Sequence, residues 1–296
     1  MKKAGMGLAA LVLLSWFSVT HAADAPGAKL KEELAKQEKI YRGEIEELAG
    51  GYTVDRGLKL YAHGLSADFD RALASLGPRD RWLDIGAGEG RAMLDYFHPA
   101  YDIAHPEHRG AKAQAVAMSI ENRTTPQWLQ TAAKVGPEKM RYLADKRLLE
   151  YSPEELGRFQ VITDVIGGFS YTRSLSEFME KVLGLLEPNG SFFTVLQDIQ
   201  REDGKSTPHY AGSPFLTTLK DLDGSDLNIC TWLKRISCVE VTCEPKEWKP
   251  PMESFRIRKV CEKVDVPALS LVRYEAGTPP EREYKVTRGT LTAAKP

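Results

Sequence analysis

One stretch constrains the fold more than any other: Trp82-Leu83-Asp84-Ile85-Gly86-Ala87-Gly88-Glu89-Gly90-Arg91, followed by Ala92-Met93-Leu94-Asp95-Tyr96-Phe97. A short apolar run, glycines at alternate positions, and then apolar residues at helical spacing predict a strand, a tight turn and a helix. Glycine is needed there because a side chain would collide with the chain or keep a ligand off the backbone. Such a unit opens a nucleotide-binding α/β fold.

Charge narrows the ligand. Asp84 closes the strand and Glu89 sits inside the loop, where both would repel a pyrophosphate at the following helix N-terminus. Arg91 stands where the dinucleotide fingerprint wants its third glycine. A cationic ligand without phosphate suits this loop better. Asp84, Gly86, Gly88 and Gly90 match acid-x-Gly-x-Gly-x-Gly, and the chain here resembles the class I S-adenosylmethionine-dependent methyltransferases, whose first motif has that form. The resemblance implies S-adenosylmethionine as cofactor, held at Asp84, Gly86, Ala87, Gly88 and Gly90. It also implies an α/β doubly wound fold: a mostly parallel seven-stranded sheet with helices on both faces and an antiparallel last strand. Turn packing selects glycine too, so the rest of the chain must agree.

Downstream, strand and helix signals alternate: strands at 113–120, 140–145, 159–168 and 191–196, and helices at 125–135 and 174–186. That alternation predicts a parallel sheet covered on both faces. Leu185-Leu186-Glu187-Pro188-Asn189-Gly190 is similar to a structural turn of the same family. By the resemblance, Glu121 after the second strand accepts hydrogen bonds from ribose hydroxyls, and Asp145 after the third meets the adenine amino group. Gln160 departs from the aspartate that often follows the aromatic of the fourth strand. Asp164 lies further along that strand, and a carboxylate buried there must be paired or hydrogen-bonded. It is the candidate catalytic acid. His209, in a polar loop over 200–222 with Tyr210, is the candidate for positioning or deprotonating an acceptor. Segments at 236–243, 255–263 and 269–274 are β-prone and suit the final antiparallel pair of the sheet.

Residues 23–80 read as an N-terminal helical cap, with a charged helix over 29–48 and another over 66–76. Tyr52, Tyr61 and His63 are candidates for lining a pocket, though packing accounts for such residues too. His98, His105 and His108 fall in a proline-marked loop at spacings that match no metal motif, so no metal is expected. The domain itself spans 81–275, and 276–296 reads as a polar, frayed tail.

Lys2 and Lys3 precede an apolar run over 4–19, and Thr20-His21-Ala22-Ala23 supplies small residues for cleavage, which predicts a signal peptide over 1–22. The alternative is an inner-membrane anchor, for which the run is shorter than the ~20 residues a spanning helix needs. Export to the periplasm or outside conflicts with a cofactor made in the cytoplasm. Four cysteines, Cys230, Cys238, Cys243 and Cys261, permit three full pairings, and one or two disulfides suit an exported chain. A net charge of −1, falling to −3 without Lys2 and Lys3, gives no footprint for nucleic acid. The expected partner is a small-molecule or envelope substrate, and no stable membrane insertion is expected after cleavage. Oligomeric state and acceptor are not legible.

Overall fold

The larger sheet is built around β1 (Arg81–Ile85), which runs parallel to β2 (Gln114–Met118) on one side and β4 (Phe159–Val165) on the other. This computed structural model describes residues 26–45, 53–106, 112–201, 214–246 and 251–289. β3 (Met140–Leu143) lies outside β2, and β5 (Leu186–Gln197) lies outside β4. Beyond β5, β9 (Met252–Lys259) runs antiparallel, and β8 (Val239–Lys246) is antiparallel to β9. The order β3-β2-β1-β4-β5-β9-β8 is the expected mostly parallel, seven-stranded sheet.

Both faces of the sheet are buried, so its central strands are apolar at nearly every position. Leu83 and Ile85 enter one core with Val116, Ile162 and Phe192, while Trp82 enters the other with Ala115, Val161 and Phe193. The helices Arg91–Phe97 and Pro126–Val135 pack on the second face, and the helix Leu175–Leu185 on the first. Thr125 starts the middle one, its side chain accepting the Trp128 N–H at 3.1 Å ahead of Pro126 at the first helical position. Connections therefore change face between β1 and β4. In open sheets that switch point leaves a crevice at the carboxyl ends of the strands, where ligands bind.

Three expectations about the chain's later part are corrected. Residues 269–274 do not join the large sheet, and residues 281–288 are not a frayed tail. β10 (Ala268–Glu275) and β11 (Glu281–Arg288) pair with β6 (Thr217–Lys220) and β7 (Asp226–Leu227) in a second sheet, ordered β10-β11-β6-β7. β6 also shortens the loop expected over 200–222. β11 read as polar because its inward face carries an arginine: Arg282, Tyr284 and Val286 are buried, while Lys285, Thr287 and Arg288 are exposed. Arg282 donates to the carbonyls of Phe169 and Thr172, both at 2.9 Å, and to Thr217 Oγ1 at 2.7 Å. The break at 187–190 is a bulge within β5, with Leu186 opposite Phe159 and Ser191 opposite Val161.

Two cystine bridges fix the edge of the large sheet. Cys230–Cys243 ties the helix Ile229–Lys234 to β8, and Cys238–Cys261 joins the turns that flank β8 and β9. Each closes a loop, and the chain entropy it takes from the unfolded ensemble stabilises the fold by about 3 kcal/mol. The N-terminal helix, Pro26–Tyr41, packs on β10. Glu33 accepts the Ala276 N–H and Gln37 the Gly277 N–H, each at 2.9 Å. Among the described residues no helix is long and apolar enough to cross a membrane. The 1–22 segment, Tyr52 and His209 lie outside the described residues.

Candidate functional site

At the switch point two glycine turns touch. Gly86, leaving β1, has φ +75°, and a Cβ there would stand 2.6 Å from the Gly167 Cα, in the turn that leaves β4. A Cβ on Gly88, at φ +56°, would meet the Val54 carbonyl oxygen at 2.2 Å. Gly90 faces the Trp128 ring as closely. Chain packing alone therefore demands all three glycines. The loop amides are mostly spent on the chain as well: Gly86 and Ala87 donate to Met118 O, Glu89 to Val54 O, and Gly90 to Ala87 O. A phosphate-binding loop offers such N–H groups to its ligand, whereas here those four are spent on the chain.

Beside the turns lies a cavity of about 430 Å³. Its floor is Ile85, Gly86 and Gly88 from the first turn, Ser119 and Ile120 after β2, and Gly167 and Gly168 after β4. One wall is Lys146 to Glu150, after β3, and the roof is Leu34, Gln37, Glu38 and Tyr41 of the N-terminal helix with Tyr274 of β10. Arg147 fastens the roof, gripping both oxygens of Glu38 at 2.8 and 2.7 Å with its guanidinium 5.3 Å from the Tyr41 ring centre.

The sequence-derived residues divide sharply. Gly86 and Gly88 line the cavity, whereas Ala87 and Gly90 are buried in the turn. Asp84 is fully buried behind the floor, accepting from Tyr61 OH at 2.9 Å and Thr163 Oγ1 at 2.7 Å, so it holds the cap to β1 and β4. Asp164 is fully buried too, and its two oxygens accept the N–H groups of Gly167 and Phe169 at 2.8 and 2.9 Å. Asp164, the expected catalytic acid, shapes the turn after β4 and is not among the residues that line the cavity. Burial pushes both carboxyls up to about 7; their hydrogen bonds and the Arg56 guanidinium oppose the shift. Tyr61 is raised by burial, then by Asp84.

Glu121 follows β2 but pairs with Arg123 at 2.6 Å, and it is Arg123, with Ser119 and Ile120, that lines the cavity. Asp145 is exposed, at φ +70°, and its neighbour Lys146 takes the wall. Tyr61 packs and His63 is exposed. In the 98–106 segment, His98 Nδ1 caps a short helix by accepting the Ala100 N–H at 3.1 Å, and His105 stacks on Tyr101. Among the described residues no group of three or more His, Cys, Asp or Glu could hold a metal ion.

Reasoning from the sequence missed the cations. Arg56, Arg123, Lys146, Arg147 and Arg173 all line the cavity, against Glu38, Glu150 and Glu177. Arg56 was within reach of that reasoning, since it lies in the aromatic segment just before β1. Arg173 was not, because nothing local marks it as a residue that lines a cavity.

No protein-family model and no curated protein matches the chain. Among solved structures it is similar to an rRNA methylase from Streptococcus thermophilus, at 11% identity over 71% of this chain and 100% of that one, with a TM-score of 0.39. A geranyl diphosphate methyltransferase in complex with SAM matches at 13% identity over 64% and 82%, TM-score 0.43. YjhP from E. coli matches at 13% over 75% and 99%, TM-score 0.43. The strand order, rather than these likenesses, establishes the fold.

Proposed function

We propose that the chain binds S-adenosylmethionine in the switch-point cavity and transfers its methyl group to a small-molecule or envelope acceptor. The observation that carries this reading is a floor of bare glycine backbone in which the Gly86 and Gly167 amides are already spent on the chain, at the crevice where open α/β sheets bind nucleosides. It favours a nucleoside without phosphate. Ile120, Leu148 and Leu149 offer apolar surface to a flat base, and Arg56 offers a guanidinium to a carboxylate. When bound, the cofactor supplies a methyl on a sulfonium, so the protein's part is to align the acceptor and exclude water. The roof helix and its Arg147–Glu38 clasp serve exclusion.

Titration calorimetry of the full chain with S-adenosylmethionine tests the reading. Affinity in the micromolar range is expected, weakened about tenfold or more in Arg56→Gln, which loses the carboxylate partner. Absence of binding by folded, oxidised protein sinks it. Glu121→Ala asks a second question: a loss like that of Arg56→Gln would mean that the Glu121–Arg123 pair opens to hold the ribose.

A second reading, an exported binding protein without catalysis, is favoured by the withdrawal of Asp84, Glu121 and Asp145 from the wall. Conversion of S-adenosylmethionine to S-adenosylhomocysteine in the presence of acceptor mixtures separates the two. Export is part of both readings. Its supports are the 1–22 segment and the two cystine bridges, which belong to an oxidising compartment. A mature N-terminus near Ala23, found by terminal sequencing of the exported fraction, is the expected result.

A further inference from the structure

Arg173 stands where two concavities meet. The main cavity shares Leu34, Arg173, Ser174 and Glu177 with a second depression that continues over Leu269 and Leu271 of β10. Three of the other cations of the cavity are accounted for: Arg147 by Glu38, Arg123 by Glu121 and Lys146 by Glu155. Arg56 is the guanidinium assigned above to the cofactor's carboxylate. Arg173 remains. Exposed at its head, it forms no ion pair or hydrogen bond with the described residues, and it sits beside a depression in which Leu34, Leu269 and Leu271 stand among Ser174, Ser176 and Ser270.

A guanidinium presents parallel N–H groups that fit two oxygens of a carboxylate or phosphate. The leucines beside it would cover hydrocarbon. Glu177 shares the junction and repels any anion there, so it sets an upper limit on how tightly the head can be held.

We propose that the methyl acceptor is an amphiphile, its carboxylate or phosphate head held by Arg173 and its apolar stem lying along Leu34, Leu269 and Leu271. This rests on the methyltransferase reading of the main cavity. An anchor remote from the reacting atom is how binding energy aligns an acceptor with a methyl group.

Four probes with a common stem test it: octanoate, octyl phosphate, octanol and octylamine, each titrated calorimetrically into the full chain with and without S-adenosylhomocysteine. At least one of the two anions is expected to bind about tenfold tighter than octanol, and octylamine more weakly. The tighter anion identifies the head. Arg173→Gln should erase the preference, Glu177→Gln should enlarge it, and Leu271→Ser should weaken every probe alike. Equal affinity for octanol and both anions, a preference that survives in Arg173→Gln, or no binding of any probe overturns the proposal. Titration of the same samples with S-adenosylmethionine keeps the two readings apart. Cofactor binding without anion preference overturns only the acceptor class. An anion preference without cofactor binding overturns the methyltransferase reading and leaves Arg173 an anion site with no acceptor role.

Discussion

The two sheets bury their strands by different chemistry. In the large sheet β1 places Trp82, Leu83 and Ile85 wholly inside and admits one carboxylate, Asp84, with two hydrogen-bond donors. In the small sheet β11 buries Arg282 between Tyr284 and the carbonyls of Phe169 and Thr172. The first makes the floor of the cavity and the second supports its roof. A floor built from apolar strands and glycine turns tolerates little change, whereas a roof assembled from polar contacts can be altered one contact at a time.

The sharpest way to break that contrast is at Gly88. Alanine there places a Cβ against the Val54 carbonyl at a positive φ, and destabilisation of about 4 kcal/mol or more is expected, read as loss of soluble protein or a collapse of the urea midpoint. Arg282→Met in the small sheet should cost less, about 2 kcal/mol, because two buried carbonyls lose a donor while a buried charge is removed. Urea unfolding measures it, and a cost equal to that of Gly88→Ala would erase the distinction between floor and roof.

A pH effect tests the floor in another way, and over the whole range from about pH 4 to 7 it rivals the effect at Gly88. Asp84 and Asp164 titrate near 7 when folded and near 4 when unfolded, so between these values the folded state holds the extra protons. Their contribution is therefore full below about pH 4 and is lost as pH rises through about 7, at roughly 1.4 kcal/mol per pH unit for each carboxyl. Asp84→Asn should flatten the slope of stability between pH 4 and 7 by about one proton; an unchanged slope would mean that Asp84 is ionised throughout. The smallest effect is expected at the roof clasp. Glu38→Gln breaks a half-exposed pair and should cost under about 1 kcal/mol in the same urea assay.

The same contrast explains what the sequence made legible. Strands at 82–85, 114–118 and 159–165 announced themselves because burial on both faces forces continuous apolar runs, and three glycines announced the turn. The glycines were read as ligand contacts, yet each is required by a neighbouring part of the chain. Asp84 and Asp164 stood out as acids, but their partners, Tyr61 and the Gly167 and Phe169 amides, are fixed only by the folded turns. β11 was hidden because Arg282 is apolar in its stem and charged at its head, and a period-2 pattern containing it does not register as hydrophobic. Arg56, Arg147 and Arg173 converge on the cavity from separate elements, a fact that no local window contains.

The contacts of Glu33 with Ala276 and of Gln37 with Gly277 join residues 243 and 240 positions apart. The covering over the cavity is thus made where two segments far apart in the sequence meet. During synthesis or export the floor can form from a contiguous stretch, while the helix that covers it waits for nearly the whole polypeptide to arrive. The roof is thereby in place only when residues 33–37 and 276–277 have both been made.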